Sequence, residues 1–207
     1  MQTKQVPRDH YSFSVYMDSR RWHSLWIQLK KISELAPARV LEIGPGAGIL
    51  KSVAKVSGIE ITTVDHDLEL NPDYVGSLQR LPFSDASYDL VCAFQVLEHL
   101  EYQKAIDAVL EMARVSSKHI FISLPNAQIT WRYQLYLPKF GELRFMFPRP
   151  LWRPTKHRYD GEHYWEINKK GYELKKILKD LNAACPIKKE WRPYENPYHH
   201  FILMEKP

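Results

Sequence analysis

Val40-Leu41-Glu42-Ile43-Gly44-Pro45-Gly46-Ala47-Gly48 reads as a buried strand interrupted by an acid, then a glycine turn, then the start of a helix. An α/β protein places nucleoside-bearing ligands at such a strand–turn–helix junction, outside the carboxyl end of the strand. The spacing of the glycines sorts those ligands. A dinucleotide fingerprint is G-x-G-x-x-G, and its third glycine lets the helix pack against the strand while the helix start faces a pyrophosphate. Here the glycines fall at 44, 46 and 48, and Ile49 occupies the place of that third glycine. Glu42 precedes the turn by two residues. A carboxylate so near would repel a pyrophosphate, yet it can accept hydrogen bonds from an ammonium group.

The methionine end of S-adenosylmethionine carries such an ammonium, next to a sulfonium charge. The motif therefore favours S-adenosylmethionine over a dinucleotide. An ordinary tight βα turn uses the same residue types, so the rest of the chain has to decide between a ligand site and a bare turn.

With 207 residues and globular apolar content, the chain suits one domain, residues 1–207, without repeats or low-complexity segments. Two cysteines, Cys92 in an apolar run and Cys185 before Pro186, exclude a disulfide scaffold and point to a reducing compartment. Met1-Gln2-Thr3-Lys4 opens no apolar leader, and no apolar run approaches the ~20 residues of a membrane span. A soluble, cytoplasmic protein is expected. The formal charge is +5, and most of the excess lies after Leu124. Arg132, Lys139, Arg144, Arg149, Arg153, Lys156 and Arg158 crowd a stretch with few acids. That stretch suits an anionic substrate, a nucleic acid or an anionic membrane, or simply a solvated basic surface.

Hydrophobic periodicity predicts an alternating pattern. Arg20–Leu35 reads as an amphipathic helix with Trp22, Leu25, Trp26 and Leu29 on its apolar face, ended by Pro37. Strands are expected at Arg39–Ile43, Ile59–Val64, Tyr74–Gly76, Tyr88–Phe94 and His119–Leu124, with helices at Ala47–Ser57 and Tyr102–Val115. Asn168 is expected to cap a helix to Leu181, and Pro186–Trp191 and Phe201–Met204 read as a final antiparallel pair. Strands alternating with helices imply a doubly wound α/β sheet. Residues 126–162 break the rhythm with four prolines and many aromatics, too much apolar area for a disordered linker. They read as a cap or lid over the ligand, helped by residues 1–19, or as a dimer contact, which aromatic and Arg-rich surfaces also favour.

Four ordered landmarks then line up. They are Glu42 to Gly48, Val64-Asp65, Leu81-Pro82-Phe83-Ser84-Asp85-Ala86-Ser87-Tyr88-Asp89-Leu90-Val91, and Val96-Leu97-Glu98-His99-Leu100. On these the chain resembles the class I S-adenosylmethionine-dependent methyltransferases, in the small-molecule group that includes the ubiquinone and menaquinone biosynthesis enzymes. The resemblance covers roughly residues 35–125, with a weaker echo at His163-Tyr164-Trp165. It implies a Rossmann-like sheet of seven strands in the order 3-2-1-4-5-7-6, with strand 7 antiparallel. It also implies roles. Glu42, Gly44, Gly46 and Gly48 would hold the methionine end of the cofactor. Asp65 would bind both ribose hydroxyls, with Asp67 a nearby competitor. Ser77 and Leu78 would meet the adenine, Leu81-Pro82-Phe83 would form a fixed turn at the cofactor edge, and Phe94 and Gln95 would line the pocket where the methyl group is presented.

Two departures matter. Ser77 stands where many relatives carry an aspartate that pairs with the adenine amino group, and serine is the weaker partner. Gln95 stands where related quinone enzymes carry an acid of a metal-binding set; Glu98-His99 alone makes a poor metal site, so no metal is expected. The chain also lacks the Asn/Asp-Pro-Pro-Tyr/Phe stretch of amino methyltransferases, having Phe94-Gln95-Val96-Leu97 instead. Methyl transfer from a sulfonium is an in-line displacement in which alignment does much of the catalysis, and a base is required only where the acceptor must lose a proton early. His99 is the first candidate base, followed by His163, Tyr164 and Glu166; each can equally be a packing residue. The leading expectation is a methyltransferase acting on a small, anionic or aromatic molecule. The alternatives are a methyltransferase-like binding protein with little or no turnover, and an RNA methyltransferase that uses the basic C-terminal half. A dinucleotide oxidoreductase is disfavoured by the glycine spacing.

Overall fold

A computed structural model gives the fold and describes residues 16–151 and 153–206. Seven strands form one sheet in the order β3-β2-β1-β4-β5-β9-β8. They are β1 (Val40–Ile43), β2 (Ile61–Asp65), β3 (Tyr74–Val75), β4 (Tyr88–Phe94), β5 (Ser116–Pro125), β8 (Ile187–Trp191) and β9 (His199–Glu205). The five strands from β3 to β5 are parallel, and β9 runs antiparallel to both β5 and β8. This is the anticipated order once two additional strands are numbered in. Those two, β6 (Thr130–Leu137) and β7 (Gly141–Pro148), form a separate antiparallel hairpin. Residues 126–162, expected to be irregular, thus contain eight register pairs of regular sheet.

The inner parallel strands β1, β4 and β5 are covered on both faces, which is why they read as largely apolar runs, whereas the short edge strand β3 is exposed. Successive β5 side chains point to opposite faces. Phe121 joins Leu25 and Ile32 of α1 (Ser19–Leu35), Leu50 and Ala54 of α2 (Ile49–Val56), and Phe201. Ile120 and Ile122 join Ala108, Val109 and Met112 of α3 (Tyr102–Val115) and Ile177 and Leu181 of α4 (Leu174–Ala184). No helix among the described residues is long and apolar enough to cross a membrane.

Two helix readings need correction. The buried residues of α1 are Ser24, Leu25, Gln28 and Ile32, whereas Trp22 and Trp26 face solvent. Ser24 is held inward by Asn196, on the β8–β9 connection, which donates to Ser24 Oγ at 3.0 Å. Asn168 is not the residue at the N-cap position of α4, although its Oδ1 accepts from the Leu174 N–H at 3.4 Å. It sits in the left-handed region with φ 66°, six residues before Leu174, and Glu173 takes the capping position.

Candidate functional site

The loops at the carboxyl ends of β1, β2 and β4 surround a cavity of about 800 Å³, lined among others by Gly44, Gly46, Asp65, Ser77, Leu78 and Gln95. A smaller annex of about 80 Å³ shares Tyr16, Arg21, Gly44, Gln95 and His199 with it and adds Glu42 and Phe94. The open sheet thus places its cleft where the strand order reverses, between β1 and β4.

The glycine turn is shaped by close approach. Gly44 has φ +68°, and a Cβ there would lie 2.7 Å from Val96 Cγ2. Only glycine brings the β1 end this near to the β4 end. Gly48 lines neither cavity; it starts α2 in a left-handed conformation. Glu42 is buried, and among the described residues its Oε2 has no hydrogen-bond partner. Burial pushes its carboxyl up to about 8, against the weaker pull of Lys51. A buried acid left with an unpartnered oxygen at a cavity wall is a group that a cationic ligand can satisfy.

Asp65 is almost fully buried at the end of β2, and burial raises its pKa. One of its oxygens, Oδ1, accepts from the Asp67 N–H at 2.9 Å, which keeps the carboxylate fixed at the cavity wall. Asp67 also lines the cavity, but its own Oδ1 accepts from the Glu69 N–H and caps the 3₁₀ turn Leu68–Leu70. Ser77 and Leu78 line the cavity as expected. The Leu81-Pro82-Phe83 turn beneath them is pinned from α3. Glu111 accepts from the Leu81 N–H at 2.8 Å, and Arg114 donates to the Phe83 carbonyl at 2.9 Å and to Asp85 at 2.7 Å.

Phe94 departs from its assigned place. Its ring packs edge-on against Phe121 at 5.1 Å, so it lines the annex and not the larger cavity. The pull is hydrophobic, since the neighbouring aromatics Phe121, Phe201 and Trp191 form the core on that face. Gln95 does line both cavities. It holds φ 56°, uncommon for a side chain of its size, and is fastened by its backbone N–H to the Ser123 carbonyl (3.0 Å) and by Nε2 to Ser123 Oγ (3.1 Å).

Beyond Gln95, the fold assembles a polar cluster from distant parts of the chain. His99 Nδ1 lies 3.0 Å from the Glu162 carbonyl, which can only accept, so Nδ1 carries the proton and Nε2 is the basic atom. Burial, aided by the charge on His163, keeps the His99 ring below the usual histidine pKa. The His163 ring stands 5.1 Å away. Burial opposes its charge, but a 3.1 Å hydrogen bond to Glu166 and the nearby acids Glu98, Glu166 and Asp160 prevail and raise its pKa. Tyr198 donates to the same Glu166 oxygen at 2.9 Å. Glu98 is fully buried with neither carboxyl oxygen hydrogen-bonded, and burial pushes it up to about 8. Tyr164 lines the cavity through a backbone anchor, its N–H donating to the Glu98 carbonyl at 2.8 Å, while its ring leans on Tyr159. Trp165 locks the segment by donating to the Leu100 carbonyl at 3.0 Å.

This cluster revises the metal reading. The expectation of no metal rested on Glu98-His99 alone, whereas donor atoms of Glu98, His99 and His163 lie within 4.8 Å of one another. That is the spread of a three-ligand site, although a neutral Glu98 needs no ion to sit there. Asn196, Tyr198 and His199 also line the cavity and were missed from the sequence. They arrive from the far end of the chain, Asn196 and Tyr198 on the β8–β9 connection and His199 as the first residue of β9, and their only signal was a polar, aromatic run before an apolar strand. The cap reading divides. Tyr159 to Tyr164 reach the cavity, but no described residue of 126–158 lines it. The hairpin leans elsewhere, as Arg132 donates to the carbonyls of Tyr194 and Glu195, each at 3.0 Å. Of residues 1–19, Tyr16 and Asp18 line the cavity; the part of that expectation resting on residues 1–15 and on Trp152 lies outside the described residues.

The buried acids set a pH dependence of stability. Glu42 and Glu98 titrate near 4.5 when unfolded and near 8 when folded, so the native state holds protons that the unfolded chain releases. Their contribution is complete below about pH 4.5 and is lost as pH rises through about 8. His199, pushed by burial down to about 4, works in the opposite sense but is fully neutral in both states above the ordinary histidine range. Thermal melts without ligand are therefore expected to fall between pH 6.5 and 8. His163 adds to that fall, and a Glu42→Gln/Glu98→Gln double variant should flatten most of it. An equally steep fall in the double variant would contradict the assignment.

Comparison with known proteins agrees with this architecture. The chain is 24% identical over 155 residues to a ubiquinone biosynthesis O-methyltransferase of Photobacterium profundum, covering 60% of this chain and 66% of that protein. It is 26% identical over 116 residues to an uncharacterised protein of Methanocaldococcus jannaschii, covering 52% of this chain and 50% of that one. The chain thus spans between half and two thirds of the length of these relatives. The crystal structure of magnesium protoporphyrin IX methyltransferase from Synechocystis, with bound S-adenosylhomocysteine, shares the fold with a TM-score of 0.59 at 15% identity, over 97% of this chain and 98% of that one. A methyltransferase-domain family profile matches residues 18–183, which include β1 to β5, the glycine turn and the Glu98–His99–His163 cluster, and the chain belongs to that family.

Proposed function

We propose that the chain transfers a methyl group from S-adenosylmethionine to a small-molecule acceptor. The observation that carries this reading is Glu42, a buried acid with an unpartnered oxygen beside Gly44, in an annex that opens on a cavity also lined by Asp65. When bound, S-adenosylmethionine supplies an electrophilic methyl on a sulfonium. Glu42 would accept hydrogen bonds from its ammonium, and Asp65 would accept from the ribose diol. Ser77 and Leu78 would flank the adenine. Gln95, held by Ser123, would fix the end of β4 beside the reacting atoms.

His99 Nε2 would take the proton of an acceptor hydroxyl or amine, and His163 and Tyr164 would shape the acceptor side. Arg20, Arg21 and Lys104, with Tyr159, Tyr164 and Tyr198, line the cavity and support an anionic or aromatic acceptor. Two buried, unpaired cysteines support a reducing, cytoplasmic setting.

The test is calorimetry with S-adenosylmethionine and NAD side by side, on the native chain and on Asp65→Ala. S-adenosylmethionine alone is expected to bind. Asp65→Ala should weaken it about tenfold or more, the usual cost of losing a charged hydrogen-bond acceptor. Binding of NAD alone would overturn the cofactor assignment, and undiminished affinity in Asp65→Ala would overturn the ribose role.

A further inference from the structure

The β6–β7 hairpin has two unlike faces. Residues paired across it share a face, and the faces alternate along each strand. One face carries the pairs Trp131/Phe147, Tyr133/Phe145 and Leu135/Leu143, with Leu137 opposite Gly141. It holds no charged side chain. The other face carries Arg132/Met146, Gln134/Arg144 and Tyr136/Glu142. This second face is tied to the body of the protein. Arg132 reaches the Tyr194 and Glu195 carbonyls, Arg144 pairs with Glu195, and both guanidinium groups lie over the Tyr194 ring. The apolar face is therefore turned away from the body, and all seven of its large side chains are exposed. Phe140, in the turn, is 80% exposed, and Leu151, just beyond β7, is 98% exposed. Scattered exposed apolar residues are ordinary, but an apolar sheet face of this size marks a contact surface.

The surrounding charge identifies the contact. Residues 126–162 hold seven Lys and Arg against three Asp and Glu. Lys139, Arg149, Arg153, Lys156 and Arg158 are exposed and form no ion pair among the described residues. The apolar face is also graded. Leu135, Leu137 and Leu143 occupy the half near the turn, and Trp131, Tyr133, Phe145 and Phe147 the half near the base. Aliphatic side chains outermost, aromatics behind them and cations around the margin is the arrangement that suits hydrocarbon, interface and anionic headgroups in turn.

We propose that the β6–β7 hairpin docks this protein onto an anionic lipid bilayer surface, with Leu135, Leu137, Leu143 and Phe140 entering the outer leaflet edge and the basic margin meeting the headgroups. Two other occupants fit less well. A second copy stacked on the same face would bring its own cations against these at the rim, with no acids there to receive them. A nucleic acid would use aromatic faces but gains little from three leucines. The hairpin grows from the carboxyl end of β5, the end on which the cavity opens, so docking would bring the cavity close to the lipid surface.

Vesicle co-sedimentation of the full chain tests this without any turnover measurement, so its failure and that of the methyl-transfer reading are separable. Vesicles of phosphatidylcholine with about one third phosphatidylglycerol are expected to bind the protein, and pure phosphatidylcholine vesicles at least tenfold less. Binding should weaken as salt rises. Leu135→Ser/Phe140→Ser/Leu143→Ser should lose at least tenfold on anionic vesicles with an unchanged melting temperature, because these side chains are already exposed. Lys139→Glu/Arg149→Glu/Arg153→Glu should abolish the preference for anionic lipid. No binding to anionic vesicles overturns the proposal. So does a concentration-dependent dimer that the triple serine variant dissociates, or salt-sensitive RNA binding that outcompetes the vesicles.

Discussion

Glu42→Gln is expected to weaken S-adenosylmethionine binding by about tenfold to a hundredfold while leaving the fold intact. A hydrogen bond to a charged partner contributes roughly 1.5–3 kcal/mol, which spans that range. The substitution keeps the volume of a buried side chain and removes only its ability to ionise, so no cavity is created. The sharper readout is a proton. Burial pushes the free Glu42 carboxyl up to about 8, so at pH 7 it is mostly protonated before the ligand arrives. An incoming ammonium favours the ionised form, and the proton must leave. Calorimetry at pH 7 in buffers of different ionisation enthalpy should therefore show release of close to one proton on binding. Glu42→Gln should show almost none. Equal proton release by both forms would mean that Glu42 does not meet the ammonium, whatever the affinities.

His99→Ala should lower the turnover number about a hundredfold or more with an acceptor that must lose its proton, the scale on which positioned bases act. Affinity for S-adenosylmethionine should stay within a few-fold, because His99 is assigned to the acceptor side. The burial that holds the ring below the ordinary histidine range also sets the pH profile. In the native enzyme kcat should fall only on the acid side, below about pH 6.5, as His99 gains a proton. In His99→Ala that acid limb should vanish along with most of the rate. Release of S-adenosylhomocysteine across pH 5–9 measures both effects. Unchanged turnover in His99→Ala refutes the assignment. Activity that is lost to a chelator and restored by a divalent ion also refutes it, and would make Glu98, His99 and His163 the metal centre that their spacing permits.

Residues near one another in sequence carried most of the readable information. The inner strands β1, β4 and β5 were legible because a parallel sheet covered on both faces demands largely apolar runs, and Tyr88–Phe94 was read to the residue. α3 was legible in the same way from its 3.6 period. α1 was misread by its face. Trp22 and Trp26 look like core by residue type, but the face that packs inward carries Ser24, held by a tertiary hydrogen bond from Asn196, and Gln28. The hairpin was missed although its signal is present. Trp131, Tyr133, Leu135 and Leu137 alternate, as do Leu143, Phe145 and Phe147, yet nearby prolines and the aromatic Tyr136 obscured a period of two.

The same division holds for the site. By itself the sequence pointed to the residues of the proposed donor half. Glu42, Gly44, Gly46 and Asp65 lie at strand ends whose register follows from local hydrophobic pattern, so their arrival around the cavity and its annex was implied as soon as the strand order was. Gln95 was readable for the same reason, at the end of β4. The proposed acceptor half was decided only by tertiary structure. Glu98 and His163 are separated by a helix, a strand and the whole hairpin, and Asn196, Tyr198 and His199 come from the β8–β9 connection and the start of β9, which reach the cavity only because β9 inserts antiparallel between β5 and β8. Local periodicity specifies which face of an element is buried. Which distant polar groups then share the cleft, and so how far burial shifts the acids at 42 and 98, depends on long-range packing that no window of sequence contains.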